Sequence, residues 1–347
     1  MYPCSPSAQT TDAERDSARS LSTGVAMCTC NAGAFIHQQL ESIVNQTVVP
    51  DQIVISDDRS DDDTWTVLQS WAAATQAQRG ISVTLLRNDP RLGVTRNFEQ
   101  AIRALDTDII FLADQDDVWT PGKVGTLLAC FGADPELLLV HSDAELIDEQ
   151  GNDLGKSLFA ALRLSEREQA LVMQGKFFEV YCRRNLVTGT TAGFRRQLLD
   201  VALPFAEDWI HDEWLAACAA SEGKVAMLAD KLTQYRQHRS NVIGIPVGTV
   251  SRLTSYAMRV ARTPRNEHLH YKLRRLQALR GRLVATNPGA ADKLALVDEA
   301  IAHYVRRIGF GRGPVSRLTS ILHEYKARGY HRFADGFAGM VRDVIHL

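Results

Sequence analysis

Apolar positions through the first half of the chain alternate between two rhythms. Short unbroken apolar runs at Gly24–Cys30, Gln52–Ser56, Ile81–Leu86, Asp108–Ala113 and Leu137–Asp143 have strand length and no polar alternation, the pattern of strands buried on both faces. Between them apolar residues recur at helical spacing. Phe35, Ile36, Leu40, Ile43 and Val44 share one helical face, a second helix runs from Thr64 through Trp71, and a third runs from Val94 to Leu105. Asn31-Ala-Gly33 turns the first strand into its helix, Pro50 closes that connection, and Pro121 is placed to open a further helix. This alternation predicts an α/β fold with a mostly parallel, doubly wound, Rossmann-like sheet flanked by helices.

Two of the strands run into acid. The fourth ends in Asp114-Gln-Asp116-Asp117-Val-Trp119, and the second runs into Asp57-Asp58-Arg-Ser-Asp61-Asp62-Asp63. In an open parallel sheet the carboxyl ends of the strands form the ligand crevice. Carboxylates packed this tightly repel, and a divalent cation, shared protons or hydrogen-bond donors must offset the repulsion. A solvated acidic turn is the plain alternative for either cluster, but the apolar strand before Asp114 and the Trp119-Thr-Pro121 after it favour metal or phosphate chemistry. There is no glycine-rich phosphate loop, so a metal would have to neutralise any phosphate. Further on, Asp212 follows Trp209-Ile-His211 and opens an apolar-periodic helix through Trp214 and Leu215. The helix dipole there favours its charge and the flanking aromatics oppose it; an acidic first helical turn is the alternative to a catalytic role.

Composition narrows the class. The chain has 347 residues, 45% hydrophobic and 23% charged, with room for one large domain and an appendage. Residues 1–22 are polar, lack the apolar core of a secretory signal, and predict a disordered lead and a cytoplasmic protein. Six cysteines without paired zinc spacing predict reduced thiols. The net charge of −2 hides an asymmetry: −13 over residues 1–245 against +11 over 246–347. The change of sign near Gly244-Ile-Pro246 divides a 23–245 domain from a basic helical region over 246–347. In that region Leu269, Leu273, Leu276, Leu279 and Leu283 form an apolar stripe, with Lys272, Arg274, Arg275, Arg280 and Arg282 on the other faces. Packing on a neighbouring helix is the first expectation and contact with an anionic membrane the second. No aromatic interleaving accompanies the charge, which argues against nucleic acid. Residues 157–186, between the two acid-bearing regions, predict a covering helix or an acceptor-recognition insertion.

Taken in order, Met27-Cys-Thr-Cys-Asn31, Ile55-Ser-Asp57-Asp58-Arg-Ser-Asp61, Leu92-Gly-Val-Thr-Arg96-Asn97-Phe98, Asp114-Gln-Asp116-Asp117-Val-Trp119, Thr188-Gly189-Thr-Thr-Ala-Gly-Phe194-Arg195, His211-Asp212-Glu-Trp214-Leu215 and Tyr235-Arg-Gln-His238-Arg-Ser-Asn241 resemble the motifs of family 2 inverting glycosyltransferases with the GT-A fold. The likeness covers roughly residues 24–244 and is greatest to the rhamnosyltransferase-like branch that builds bacterial surface polysaccharides. It implies transfer of a sugar, rhamnose by branch resemblance, from a dTDP- or UDP-linked donor to a glycan or lipid-linked glycan, with Mg²⁺ or Mn²⁺ as cofactor and a peripheral place at the inner membrane face. It implies Asp57 on the nucleobase, Asp114 on the ribose or metal, Asp116 on the metal, Arg96 near the nucleotide, and Asp212 as general base. His238 falls at a metal or phosphate contact, and Asp117, Trp119, Gly189, Thr190 and His211 at substrate positions. Cys28 and Cys30 fall at the nucleotide, Cys30 replacing the usual Tyr and removing a stacking surface for the base. Two other readings compete. Asp114-x-Asp116-x-Val118 fits the nucleophile motif of haloacid-dehalogenase-like phosphatases, although it ends the fourth strand and no later Gly-Asp pair completes that site. A non-catalytic nucleotide-sugar-binding protein is favoured by Cys30 and disfavoured by the presence of both Asp116 and Asp212.

Overall fold

The structure is a computed structural model that describes residues 21–238, 264–311, 313–334 and 336–345. The expected disordered lead, apart from its last two residues, the charge boundary at Gly244–Pro246, and helix expected just beyond it lie outside the described residues. Strands β1 (Thr23–Thr29), β2 (Gln52–Asp57), β3 (Ser82–Arg87) and β4 (Ile109–Ala113) alternate with helices α1 (Ile36–Val44), α2 (Thr64–Arg79) and α3 (Val94–Arg103). These four strands pair in parallel in the order β3-β2-β1-β4. The pleat explains their sequences: Val25, Met27, Ile109 and Phe111 point into one core with α1 and α2, while Ala26, Ile110 and Leu112 point into another with α3.

Beyond β4 the sheet becomes mixed. It continues through β5 (Val118–Trp119), α4 (Lys123–Ala133), β6 (Leu137–Ile147), β7 (Asp153–Ser157), α5 (Glu166–Met173), β8 (Ala192–Arg195), α6 (His211–Glu222) and β9 (Lys224–Arg236). β8 lies antiparallel between β4 and β6, β9 runs parallel to β6, and β5 closes the edge antiparallel to β9. The approach of β8 to β4 depends on Gly193, where a Cβ would meet the Phe111 ring at 2.7 Å. The 157–186 insertion forms three short helices, Leu158–Ala161, α5 and Phe177–Tyr181, instead of one covering helix.

α6 is buried nearly all round, from Trp214 through Ser221, and packs on α3 and β9. The C-terminal region is helical, with α7 (Arg265–Thr286), α8 (Ala291–Ile308), α9 (Pro314–Lys326), a short helix Gly329–Phe333, and α10 (Phe337–Ile345). Leu279 of α7 and Val297 of α8 belong to the same hydrophobic core as Phe194 and Trp214, so these helices complete the catalytic body's packing. The leucine stripe of α7 is buried at Leu269, Leu276, Leu279 and Leu283. Its arginines are engaged within the chain. Arg274 binds Asp208 at 2.8 and 3.1 Å, Arg275 pairs with Glu213, Arg280 with Asp298, and Arg282 donates to the carbonyls of Val201, Leu203 and Pro204. Three of these four arginines thus engage residues of the preceding region, and Arg280 engages α8. No helix among the described residues is long and apolar enough to cross a membrane.

Candidate active site

Parallel register carries the site's first wall to one edge. Thr29 lies beside Asp57 and Met27 beside Ala113, so the residues that follow β1, β2 and β4 leave the sheet together. Cys28, Cys30, Asp58, Asp114 and Asp116 open onto a cavity of about 1880 Å³, and Gly189, His211, Asp212 and His238 close it. Tyr271 and Arg275 of α7 and Leu162 and Arg184 of the insertion extend the wall. Single-ligand cavities are about 300–1,000 Å³, so this one has room for two reactants side by side.

The cavity floor is short of positive charge. Burial, then the carboxylates of Asp117, Asp116 and Asp212, holds Asp114 well above the ordinary carboxylate range. Burial, then Asp116, pushes Asp117 up to about 7; its Oδ1 accepts the Arg236 N–H at 2.9 Å. Asp116 Oδ2 lies 2.7 Å from His238 Nε2. The guanidinium of Arg236 clamps the loop from beneath, donating to the Asp116 carbonyl at 2.8 Å and to Gln38 at 2.7 Å. Lys123 is fully buried below, donating to the Thr190 carbonyl and to Thr233 at 3.1 Å, with its ammonium 3.8 Å from the Trp119 ring centre. Among the described residues no group of three His, Cys, Asp or Glu is arranged to hold a metal ion as it stands. Asp114, Asp116 and His238 are nevertheless donor types that a divalent cation takes when phosphate oxygens and water complete its shell.

The opposite wall holds the candidate base. Asp212 begins α6 after Ile210, and its two oxygens accept from Gly189 N at 2.8 Å and Glu213 N at 2.6 Å. Those donors and the helix dipole lower its pKa, but burial and then the Glu213 charge outweigh them and push it up to about 7. Gly189 admits the pair: a Cβ there would meet His211 Nε2 at 3.0 Å and Asp212 Cβ at 3.4 Å. His211 stacks on Phe98 at 3.7 Å with both ring nitrogens unpartnered, and burial pushes its pKa down to about 3, so it stands neutral.

Of the residues singled out in the sequence, Cys28, Cys30, Asp114, Asp116, Gly189, His211, Asp212 and His238 meet at this cavity. Five do not line it. Asp57 is fully buried, its carboxylate held by Thr29 at 2.9 Å and by Ser60, so the neighbouring Asp58 takes its place on the wall. Arg96 turns outward to Glu99 at 2.7 Å. Asp117, Trp119 and Thr190, expected at substrate positions, are buried behind the wall. Lys123 and Arg236 were missed, since a lone basic residue at a helix start or strand end reads as solvated. The thiols of Cys28 and Cys30 form no disulfide, and burial first raises them above their usual pKa.

Known proteins share this architecture. A mannosyltransferase, PcManGT from Pyrobaculum calidifontis, solved in complex with GDP-Man and Mn²⁺, superposes with a TM-score of 0.51 at 17% identity over 94% of this chain and 86% of that one. S. aureus TarS 1-349 in complex with UDP-GlcNAc superposes with a TM-score of 0.51 at 14% identity over 93% and 90%. These establish the GT-A fold. By sequence, the chain is 26% identical over 226 residues to the dTDP-rhamnosyl transferase RfbG of Shigella flexneri, covering 63% of this chain and 73% of the relative. It is 24% identical over 215 residues to an uncharacterised glycosyltransferase of Nostoc sp., of whose length it spans 63%. Residues 24–202 match the glycosyl transferase family 2 model, more than half of the chain, and the phosphatase alternative gains no support. With the sheet order, the acid-floored cavity and these matches in agreement, the chain belongs to glycosyl transferase family 2.

Proposed function

We propose that the chain is a divalent-cation-dependent, inverting glycosyltransferase that moves a sugar from a nucleoside-diphosphate donor to a hydroxyl of a glycan or lipid-linked glycan, in the making of a bacterial surface polysaccharide. The observation that carries this reading is that Asp114, Asp116 and His238 share one cavity with Asp212. Rhamnose on dTDP is the donor favoured by the resemblance to RfbG, with UDP-sugars next. Asp114, Asp116 and His238 would hold the cation, which neutralises charge on the diphosphate as it leaves. Asp58 and the Cys30 backbone, fixed by Gln115 at 2.7 Å, border the nucleotide.

Asp212 takes the acceptor proton. The acceptor oxygen bonds to the anomeric carbon, the bond from that carbon to the diphosphate breaks, and the proton passes to a free lone pair of the carboxylate. Backbone donors at Gly189 and Glu213 hold that carboxylate still. The neutral imidazole of His211, stacked on Phe98 and packed against Gly189 with both ring nitrogens buried, backs the Gly189–Asp212 contact.

The test is nucleoside-diphosphate release from dTDP-rhamnose and from UDP-sugars, with and without Mn²⁺, in the wild type and in Asp212→Asn. Transfer that stops in EDTA, returns with Mn²⁺ and disappears in the variant supports the assignment. Undiminished transfer by Asp212→Asn refutes it.

A further inference from the structure

α9 carries an apolar face that the described part of the fold does not use. Val315 is 79% exposed, Leu318 45%, Leu322 48% and Tyr325 38%, and their spacing of three, four and three places them on one side of the helix. The opposite side is committed. Ile321 is buried with Tyr330 and Ala334, and Glu324 is buried against His303 at 2.6 Å and Arg306 at 2.8 Å. Phe337, 64% exposed, begins the adjoining helix α10. With Glu324 consumed, the outer face of α9 and the turn after it present Lys326 and Arg328, both exposed, and no carboxylate.

A solvent-facing row of Val, Leu, Leu and Tyr edged by unopposed cations has the chemistry of a helix lying in the plane of an anionic bilayer, its apolar side among the acyl chains and its cations at the headgroups. Tyr325 suits the headgroup boundary because its ring is apolar and its hydroxyl polar. The placement also has a functional logic. α10 packs on α9 and contributes Arg342 to the wall of the catalytic cavity, so a surface bound at α9 is one rigid element away from the acceptor side. The geometry points to α9 as the membrane-docking element, with anionic lipid as its partner. This rests on the lipid-linked part of the proposed acceptor; it moves the contact from α7, whose arginines are engaged, to α9.

The test is cosedimentation of the full chain with vesicles of phosphatidylcholine alone and of phosphatidylcholine mixed with phosphatidylglycerol, alongside nucleoside-diphosphate release in solution. The wild type is expected to bind the mixed vesicles, more weakly as salt rises. The pair Leu318→Glu and Leu322→Glu should lower partitioning at least about tenfold through lost apolar insertion. Lys326→Glu with Arg328→Glu should lower it by at least about tenfold through charge reversal and flatten the salt dependence. Both variants should keep the wild-type melting temperature and solution activity. A wild type that stays in the supernatant while releasing nucleoside diphosphate overturns the docking and leaves the transferase intact. Vesicle binding lost in the variants, from a protein that turns over no donor, upholds the docking and counts against the enzyme reading. A wild-type dimer that the leucine variant disperses, with vesicle binding unchanged, makes the face an interface between two copies and overturns the proposal.

Discussion

A carboxylate that must accept a proton near neutrality needs surroundings that penalise its charge, and Asp212 has them in burial and in Glu213. In its proposed role as base the ionised form is the active one, so kcat/KM should rise about tenfold per pH unit up to about pH 7 and then level. Asp212→Asn should cost about 10²–10⁴-fold in kcat with the donor KM little changed, in steady-state assays across that range. Asp117 makes the opposite kind of prediction, one of stability. With its folded pKa near 7, the folded state holds a proton that the unfolded state releases, so stability falls as pH rises from the ordinary carboxylate range through about 7. Asp117→Asn removes that fall, and in EDTA its melting temperature should gain on the wild type from about pH 5 to about pH 8. Sequence showed where the acids cluster because an apolar strand must end somewhere, and acids at that end are conspicuous. It could not show which carboxylates face inward. Asp57 and Asp58 are neighbours of identical type, and only the tertiary pairing with Thr29 and Ser60 sends the first away from the cavity.

At the scale of elements, α6 and α7 act on the base together. Arg275 neutralises Glu213, which in turn raises Asp212, and the Trp209 indole donates to the Arg275 carbonyl at 3.2 Å. Arg275→Met leaves Glu213 uncompensated and should cost about 3 kcal/mol in urea unfolding, the penalty for breaking a buried ion pair. The same change should move the acid limb of the pH–rate profile upward, and Glu213→Gln should move it downward. The parallel half of the sheet was legible in outline, β4 to within one residue, because β1, β2 and β4 are buried on nearly every position, although the edge strand β3 is half exposed. In the mixed half only the first part of β6 was legible. β8 has four residues, too few for a period to show, and β9 changes its pairing register with β6 near Ser142 and Asp143, which scrambles the alternation. The leucine stripe of α7 packs on the neighbouring helix α8, the first of its two expectations, yet nothing in a stripe of leucines says which neighbour covers it.

Across the whole molecule, the contrast of −13 and +11 suggested an acidic body with a basic tail. Much of that positive charge is internal. Arg265 and Arg307 converge on the buried Asp343 at 2.8 Å each, and Tyr330 adds a hydrogen bond at 2.6 Å. Net charge by segment counts such residues as if they were solvated, and therefore overstates the surface field. A chain ending at residue 238 should lose the cover over Trp209 and Trp214 and aggregate on expression, measured as soluble yield and near-ultraviolet circular dichroism against the full chain.

The arginine that α7 sends beneath Glu213 has a consequence for anyone recombining such enzymes. Exchanging the C-terminal helices between relatives would replace the α7 part of the cavity wall and, in the same stroke, the counter-ion of the Glu213 charge that helps raise Asp212. A chimaera made to accept a new sugar would inherit a new working pH unless positions 213 and 275 travelled as a pair.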